Sequence, residues 1–318
     1  MEKFWSPGKL MITGEYLVIS GAKALAVPTV LGQQLHFTHD RRRKTRIVNW
    51  VSMTPGELIW YSNQFIIDQN FEPSEQKGSE RTEFIRSLLI TINNSKPDFF
   101  AEQGTYNFKT FMDFDPGWGL GSSSSLIVNL AMLTDLQPFE LVFQSTLNQG
   151  SGYDIATSLM GKPILYFIEE EMYHWAEPVE LSWKKFANQC RLIYLNHKQD
   201  SNVEVSRFKS KWKENENRNF IEEISNISER ITTVTDYEEF RQLLGRHELI
   251  MSEVLKKKCI KDELFPDFDG VIKSLGAWGG DFILACSNST SEYTEKYFLE
   301  KGYQTIMDYS KMIDYEWK

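Results

Sequence analysis

Along roughly the first 188 residues, short apolar runs alternate with polar positions and are cut by glycine and proline. KLMITGEYLVIS holds two such runs, broken at Gly14-Glu15, and ALAVPTVLGQQLHFTH continues with strand-like content. RIVNWVSM and GELIWYSNQFII flank Pro55-Gly56 and read as a hairpin. RTEFIRSLLITINNS has helical spacing and stops before Pro97. TYNFKTFMDFD alternates as a strand does, and SSSSLIVNLAMLTDL, apolar nearly all round, predicts a buried helix. GSGYDIATSLMGKPILYF reads as a short helix followed by a strand.

Near residues 180–190 the pattern changes. CRLIYLNHK reads as a strand, and long amphipathic helices follow. TDYEEFRQLLGRHELIMSEVLKKK opens with Thr235 and Glu238 in capping-box spacing and closes on Lys256, Lys257 and Lys258, which suit a helix C-terminus. The chain ends strand, helix, strand. This order predicts an α+β protein of two domains, 1–188 and 189–318.

Composition narrows the function classes. The chain is 41% hydrophobic and 25% charged, with a formal net charge of −9, which speaks against non-specific nucleic-acid binding. It leaves an anionic substrate open, because sites are local and net charge is global. Arg41, Arg42, Arg43 and Lys44 read as a solvated surface turn. Cys190, Cys259 and Cys286 lack metal-ligand or disulfide-framework spacing and fit a reduced setting. The N-terminus lacks the uninterrupted apolar core of a signal peptide, and no stretch approaches the ~20 apolar residues of a membrane span. The expectation is a soluble cytoplasmic protein whose partner is a small molecule, not nucleic acid or membrane.

Candidate chemistry centres on DPGWGLGSSSS. A strand, glycines and a helix start make an anion site without any lysine, because unpaired N–H groups and the helix dipole converge there. A plain strand–loop–helix connection with a serine N-cap is the alternative. Two further segments bear on the choice: SPGKLMITGEYLVISGA and SLGAWGGDFILACS.

Pro-Gly-Lys with Gly-Glu-Tyr, then Pro-x-Gly-Leu-Gly-Ser-Ser, then Gly-Ala-x-Gly-Gly-Asp, in this order, resembles the GHMP kinase superfamily, closest to its mevalonate and phosphomevalonate branch. QGSGYDIATSLMG is similar to the Gly-Tyr-Asp-Ile-Ala signature of GHMP kinases from Bacteroidetes-type bacteria. The resemblance covers most of the chain. It implies an N-terminal ATP-binding domain like ribosomal protein S5 domain 2 and a ferredoxin-like C-terminal domain. It also implies an ATP- and Mg²⁺-dependent kinase acting on a small anionic metabolite such as mevalonate or phosphomevalonate.

By the same resemblance Gly119, Leu120, Gly121, Ser122, Ser123 and Ser124 form the ATP-phosphate segment, with Ser123 on Mg²⁺. Ser122 and Ser123 are expected to face phosphate and metal, while Ser124 and Ser125 begin the helix. Gly276, Gly279 and Gly280 close over the phosphates, Asp154 is the catalytic aspartate, and Lys9 lies beside it and favours its charged form. A helix N-cap is the alternative role for Asp154. Glu15 reads either as an orienting acid or as a turn residue, Asp281 as a strand start, and Trp118 and Trp278 as ligand-facing or packed aromatics. One departure stands out. FQSTLNQGSGYD carries no carboxylate before Asp154, where mevalonate kinases hold Mg²⁺ with a glutamate. That leaves a second expectation, a non-catalytic nucleotide- or metabolite-binding protein of the same fold.

Overall fold

The structure is a computed structural model, and it describes residues 1–313 apart from 76, 144–149, 170–172, 198–200, 213–217, 277 and 279. In chain order the strands are β1 (Glu2–Thr13), β2 (Ala24–Asp40), β3 (Arg46–Met53), β4 (Ile59–Ile66), β5 (Glu72–Pro73), β6 (Gly104–Met112), β7 (Ile164–Glu169), β8 (Tyr173–Pro178), β9 (Cys190–Tyr194), β10 (Gly270–Leu275), β11 (Phe282–Ser287) and β12 (Ile306–Asp308). The helices used below are α1 (Glu80–Ser95), α2 (Ser122–Thr134), α3 (Pro138–Phe143), α4 (Tyr153–Met160), α5 (Ser201–Lys211), α6 (Arg218–Thr233) and α7 (Tyr237–Leu255). This mixture of helices and two sheets is the expected α+β class.

The chain divides into two compact units, each gathered from several segments. The first comprises Met1–Gly8, Leu31–Pro116 and Gly121–Gln149; the second comprises Lys9–Val30, Gly117–Leu120 and Gly150–Lys318. Residue 188 falls inside the second.

In the first unit the strands run β5-β4-β3-β6 and end on the later part of β2. The predicted hairpin pairs β3 with β4, and β3 lies parallel to β6 in the register Trp50↔Phe108. Val48 and Trp50 point inward with Tyr106 and Phe108, and Trp50 stacks on Phe108 at 5.1 Å. Alternation along these strands therefore puts one face in the core. Helix α1 buries Ile85, Leu88, Leu89 and Ile92, and the Ser79 hydroxyl caps it by accepting from the Thr82 N–H. Helix α2 is buried on nearly every side, as its apolar run predicts. The basic turn at 41–44 is exposed, with Arg42 paired to Asp40 and Arg41 to Glu102.

In the second unit the first residues of β2 pair with β7, and β7 pairs with β8. A separate antiparallel sheet has the order β10-β11-β9-β12. Tyr16, Leu17, Phe208, Ile224, Ile227, Ile250, Met251 and Trp278 share one apolar cluster. Two local expectations change here. The run after Gly14 is not a strand but a 3-10 turn, Leu17–Ser20. Gly14 and Tyr16 both have positive φ, which ends the extended chain, while Leu17 and Val18 stay buried. Helix α7 is capped by Asp236, not Thr235: its carboxylate accepts from the Glu239 N–H at 2.8 Å. The helix ends at Leu255 with Lys256 in the left-handed conformation, so Lys257 and Lys258 lie beyond it. No helix among the described residues is long and apolar enough to cross a membrane.

Candidate functional site

The glycine segment begins with a 3-10 turn, Pro116–Trp118, after β6. Gly119 has φ 69°, and a Cβ there would lie 2.4 Å from Asp281 Oδ2. Glycine is therefore required twice over, by conformation and by the neighbouring carboxylate. Leu120 is buried and its carbonyl accepts from the Lys9 N–H at 2.8 Å. The Gly119 carbonyl accepts from Lys9 Nζ at 3.0 Å. Lys9 thus grips two successive carbonyls of the segment, one with its backbone and one with its side chain.

Gly121, at φ 86°, is the N-cap of α2. No side chain caps this helix, so the N–H groups of its first turn carry the partial positive charge that attracts anions. The four serines then separate. Ser123 is exposed and Ser122 half-buried, while Ser124 and Ser125 are fully buried. Both buried hydroxyls donate to the Gly121 carbonyl, at 2.9 and 3.0 Å, and Ser125 also reaches Gln33 Oε1. The Ser124 side chain, expected with the phosphate binders, is spent inside the helix turn.

Asp154 sits half-buried in the first turn of α4, whose N-cap is Gly152. The N-cap role considered for Asp154 therefore does not hold. Its neighbour Tyr153 brings its ring to 5.3 Å from Lys9 Nζ. Burial pulls the Lys9 ammonium toward neutrality, but Tyr153, Asp154 and Asp281 outweigh it and hold its pKa above the ordinary lysine range. The structure thus brings together Lys9, Gly119, Leu120, Tyr153, Asp154 and Asp281, while Gly121, Ser122, Ser123 and Ser124 belong to the first unit.

In the third segment Gly276 has φ 73° and Gly280 is buried; Ala277 and Gly279 lie outside the described residues. Asp281 is more than a strand start. It is buried, has φ 52°, donates its N–H to the His197 carbonyl at 2.7 Å, and fills the space above Gly119. A non-glycine residue in this conformation is uncommon and costs of order 1 kcal/mol or more. Sequence reading missed it; its only signal was its place directly after Gly279-Gly280.

The two tryptophans also resolve. Trp118 packs edge-on against Phe282 at 5.8 Å and beside Tyr194, whose hydroxyl donates to the Gly117 carbonyl. Trp278 is buried, with its indole N–H on Glu248. Glu15 is buried as well and pairs with Lys273 at 2.6 Å, so it is neither an exposed turn residue nor open to a ligand.

No protein-family model matches this sequence, and no curated protein matches it significantly. Solved structures do. A Lin0012 protein from Listeria innocua superposes with a TM-score of 0.71 at 17% identity over 96% of this chain and 99% of that one. Streptococcus pneumoniae phosphomevalonate kinase, in complex with phosphomevalonate and AMPPNP, gives 0.67 at 16% identity, covering 96% and 99%. A D-glycero-D-manno-heptose 1-phosphate kinase from Bacteriodes thetaiotaomicron gives 0.66 at 14% identity, covering 98% and 96%. Mevalonate kinases and a galactokinase match in the same range. The mevalonate, phosphomevalonate, heptose 1-phosphate and galactose kinases among these neighbours are GHMP kinases, and the chain has the GHMP kinase fold over nearly all of its length.

Proposed function

We propose that this protein is an ATP-dependent small-molecule kinase that phosphorylates a hydroxyl or phosphate group of a small anionic metabolite, mevalonate or phosphomevalonate being the preferred acceptor. The observation that carries this reading is the Lys9 ammonium, anchored on the Gly119 carbonyl and under the charge of Asp154. In this reading residues 1–188 form the ATP-binding domain and 189–318 the second domain, in an intracellular setting. Phosphoryl transfer needs positioning and charge neutralisation more than covalent chemistry. The glycine segment and the N–H groups at the start of α2 hold the ATP phosphates. Lys9 offsets charge on the transferred group, and Asp154 accepts or orients the acceptor's proton. Gly276, Gly279 and Gly280 cover the phosphates.

Among the described residues no group of three or more His, Cys, Asp or Glu side chains is arranged to hold a metal. That fits Mg²⁺, which takes most of its ligands from phosphates and water, with the exposed Ser123 hydroxyl as the protein ligand. When bound, the ion would neutralise phosphate charge.

The test is ATP consumption with mevalonate, phosphomevalonate and sugar acceptors. Wild type should turn over at least one of them, and Asp154→Asn should lower kcat by about 10²–10⁴-fold, the usual size of a lost general base. Equal rates in the two proteins would remove Asp154 from the mechanism. The missing carboxylate in FQSTLNQGSGYD favours a second reading, a non-catalytic nucleotide-binding protein. Calorimetric ATP binding without turnover on any acceptor would select it.

A further inference from the structure

Four ionisable side chains meet in the interior of the second unit. They are Glu15 from the turn after β1, His247 and Glu248 from α7, and Lys273 from β10, the strand that leads into the third glycine segment. Lys273 is 0% exposed and Glu15 4%. Buried charges persist only when each donor and acceptor is used.

Lys273 Nζ uses its three donors on Glu15 Oε1 at 2.6 Å, Glu248 Oε1 at 3.3 Å and the Ser274 carbonyl. Glu248 also accepts from Ser274 Oγ at 3.0 Å and from the Trp278 indole N–H at 3.1 Å. Glu15 Oε2 receives no donor. It faces His247 Nε2 at 3.2 Å, but that nitrogen already accepts the Gly14 N–H at 3.0 Å and has no proton to give. The contact is therefore not an ion pair. Burial and Lys273 keep His247 neutral, well below its ordinary range.

Two carboxylates and one ammonium would leave a net negative charge in the interior. A proton on one carboxylate removes it. Glu248 has the donors of an ionised group and Glu15 Oε2 has none, so Glu15 is the proton's seat. Burial pushes Glu15 up to about 7 and moves Glu248 in the same direction.

We propose that Glu15, Glu248 and Lys273 are positioning residues of the kinase site, acting through Trp278 to hold the described part of the third glycine segment on Tyr16, in the turn after the strand that carries Lys9. The proposal rests on the phosphotransferase reading. Trp278 receives a hold at each end: its indole on Glu248 and its backbone N–H on the Tyr16 hydroxyl at 3.2 Å. Among the described residues the other titratable groups facing the cluster are Tyr16, Tyr153, which feels the charge of Glu15, and Cys259, whose thiol donates to the Glu248 carbonyl; Glu204 and Asp281 act on Tyr16 from outside. Loss of the Glu15 proton sets the two carboxylates against each other and weakens the grip on Trp278.

The experiment is an amide and indole N–H NMR titration of ¹⁵N-labelled wild-type protein, with the Trp278 indole signal assigned by its loss in Trp278→Phe. The signal is expected to titrate with a midpoint near pH 7 and to become flat in Glu15→Gln. A signal that is flat in wild type between pH 6 and 8.5 overturns the proposal. In kinetics, Glu248→Gln keeps the shape and removes the charge; it is expected to raise KM for ATP about tenfold while kcat stays within threefold. A fall in kcat with KM unchanged overturns the positioning role. The NMR readout needs no turnover, so an inactive wild type would refute the kinase reading while the titration still decides this one.

Discussion

Ser123 and Ser125 carry the same hydroxyl two positions apart, and the first turn of α2 gives them different work. Ser125 is buried and bonded to Gly121 and Gln33, whereas Ser123 faces solvent. Ser125→Ala should therefore cost about 1–2 kcal/mol, read by urea unfolding, because the Gln33 amide loses a buried partner. Ser123→Ala should leave the unfolding midpoint unchanged yet lower Mg²⁺-dependent turnover more than Ser125→Ala does; the reverse ranking would undo the assignment. The division of Ser122 and Ser123 from Ser124 and Ser125 rests on the resemblance; the run itself, buried on nearly every side, marks no inward face. Glu15 and Asp281 were not legible. Glu15 meets Lys273 across 258 positions, and no local pattern announces a partner so distant.

At the scale of elements, most strands and helices could be read from periodicity and turn residues. Failures came where a short run decided between types. Leu17–Ser20 is apolar in either a strand or a 3-10 turn, and four residues show no period. The start of α7 was displaced by one residue, because Thr235-Glu238 and Asp236-Glu239 have the same spacing and an aspartate caps as well as a threonine. Asp236→Ala should cost about 1 kcal/mol in chemical unfolding, whereas Thr235→Ala should cost a few tenths at most. Equal effects would return the cap to Thr235. Cys190 and Cys286, both free thiols, lie directly opposite each other on β9 and β11 with sulfurs 2.8 Å apart, a contact that their distance in sequence hid.

For the whole molecule, the buried cluster makes stability depend on pH. Glu15 holds its proton up to about pH 7 in the folded chain, against an ordinary 4.5. Between these values the folded state binds more protons than the unfolded one, so the contribution is complete below about pH 4.5 and is lost as pH rises to 7. The unfolding free energy of wild type minus that of Glu15→Gln should fall across this window by at most about 3 kcal/mol and stay level above it. His247 has the opposite sign, since its neutral folded form loses stability as pH drops below its ordinary 6.5; it lies 3.2 Å from Glu15, so the two titrations are coupled and the difference reports the pair. A difference that does not change with pH would place the proton elsewhere. The contact between Gly119 and Asp281 has a consequence of another kind. Two segments far apart in the sequence share one small volume, so a change in one constrains the other. In descendants of this chain a side chain at 119 would press on the Asp281 carboxylate, and losing that acid would still leave the left-handed φ of 69° that favours glycine.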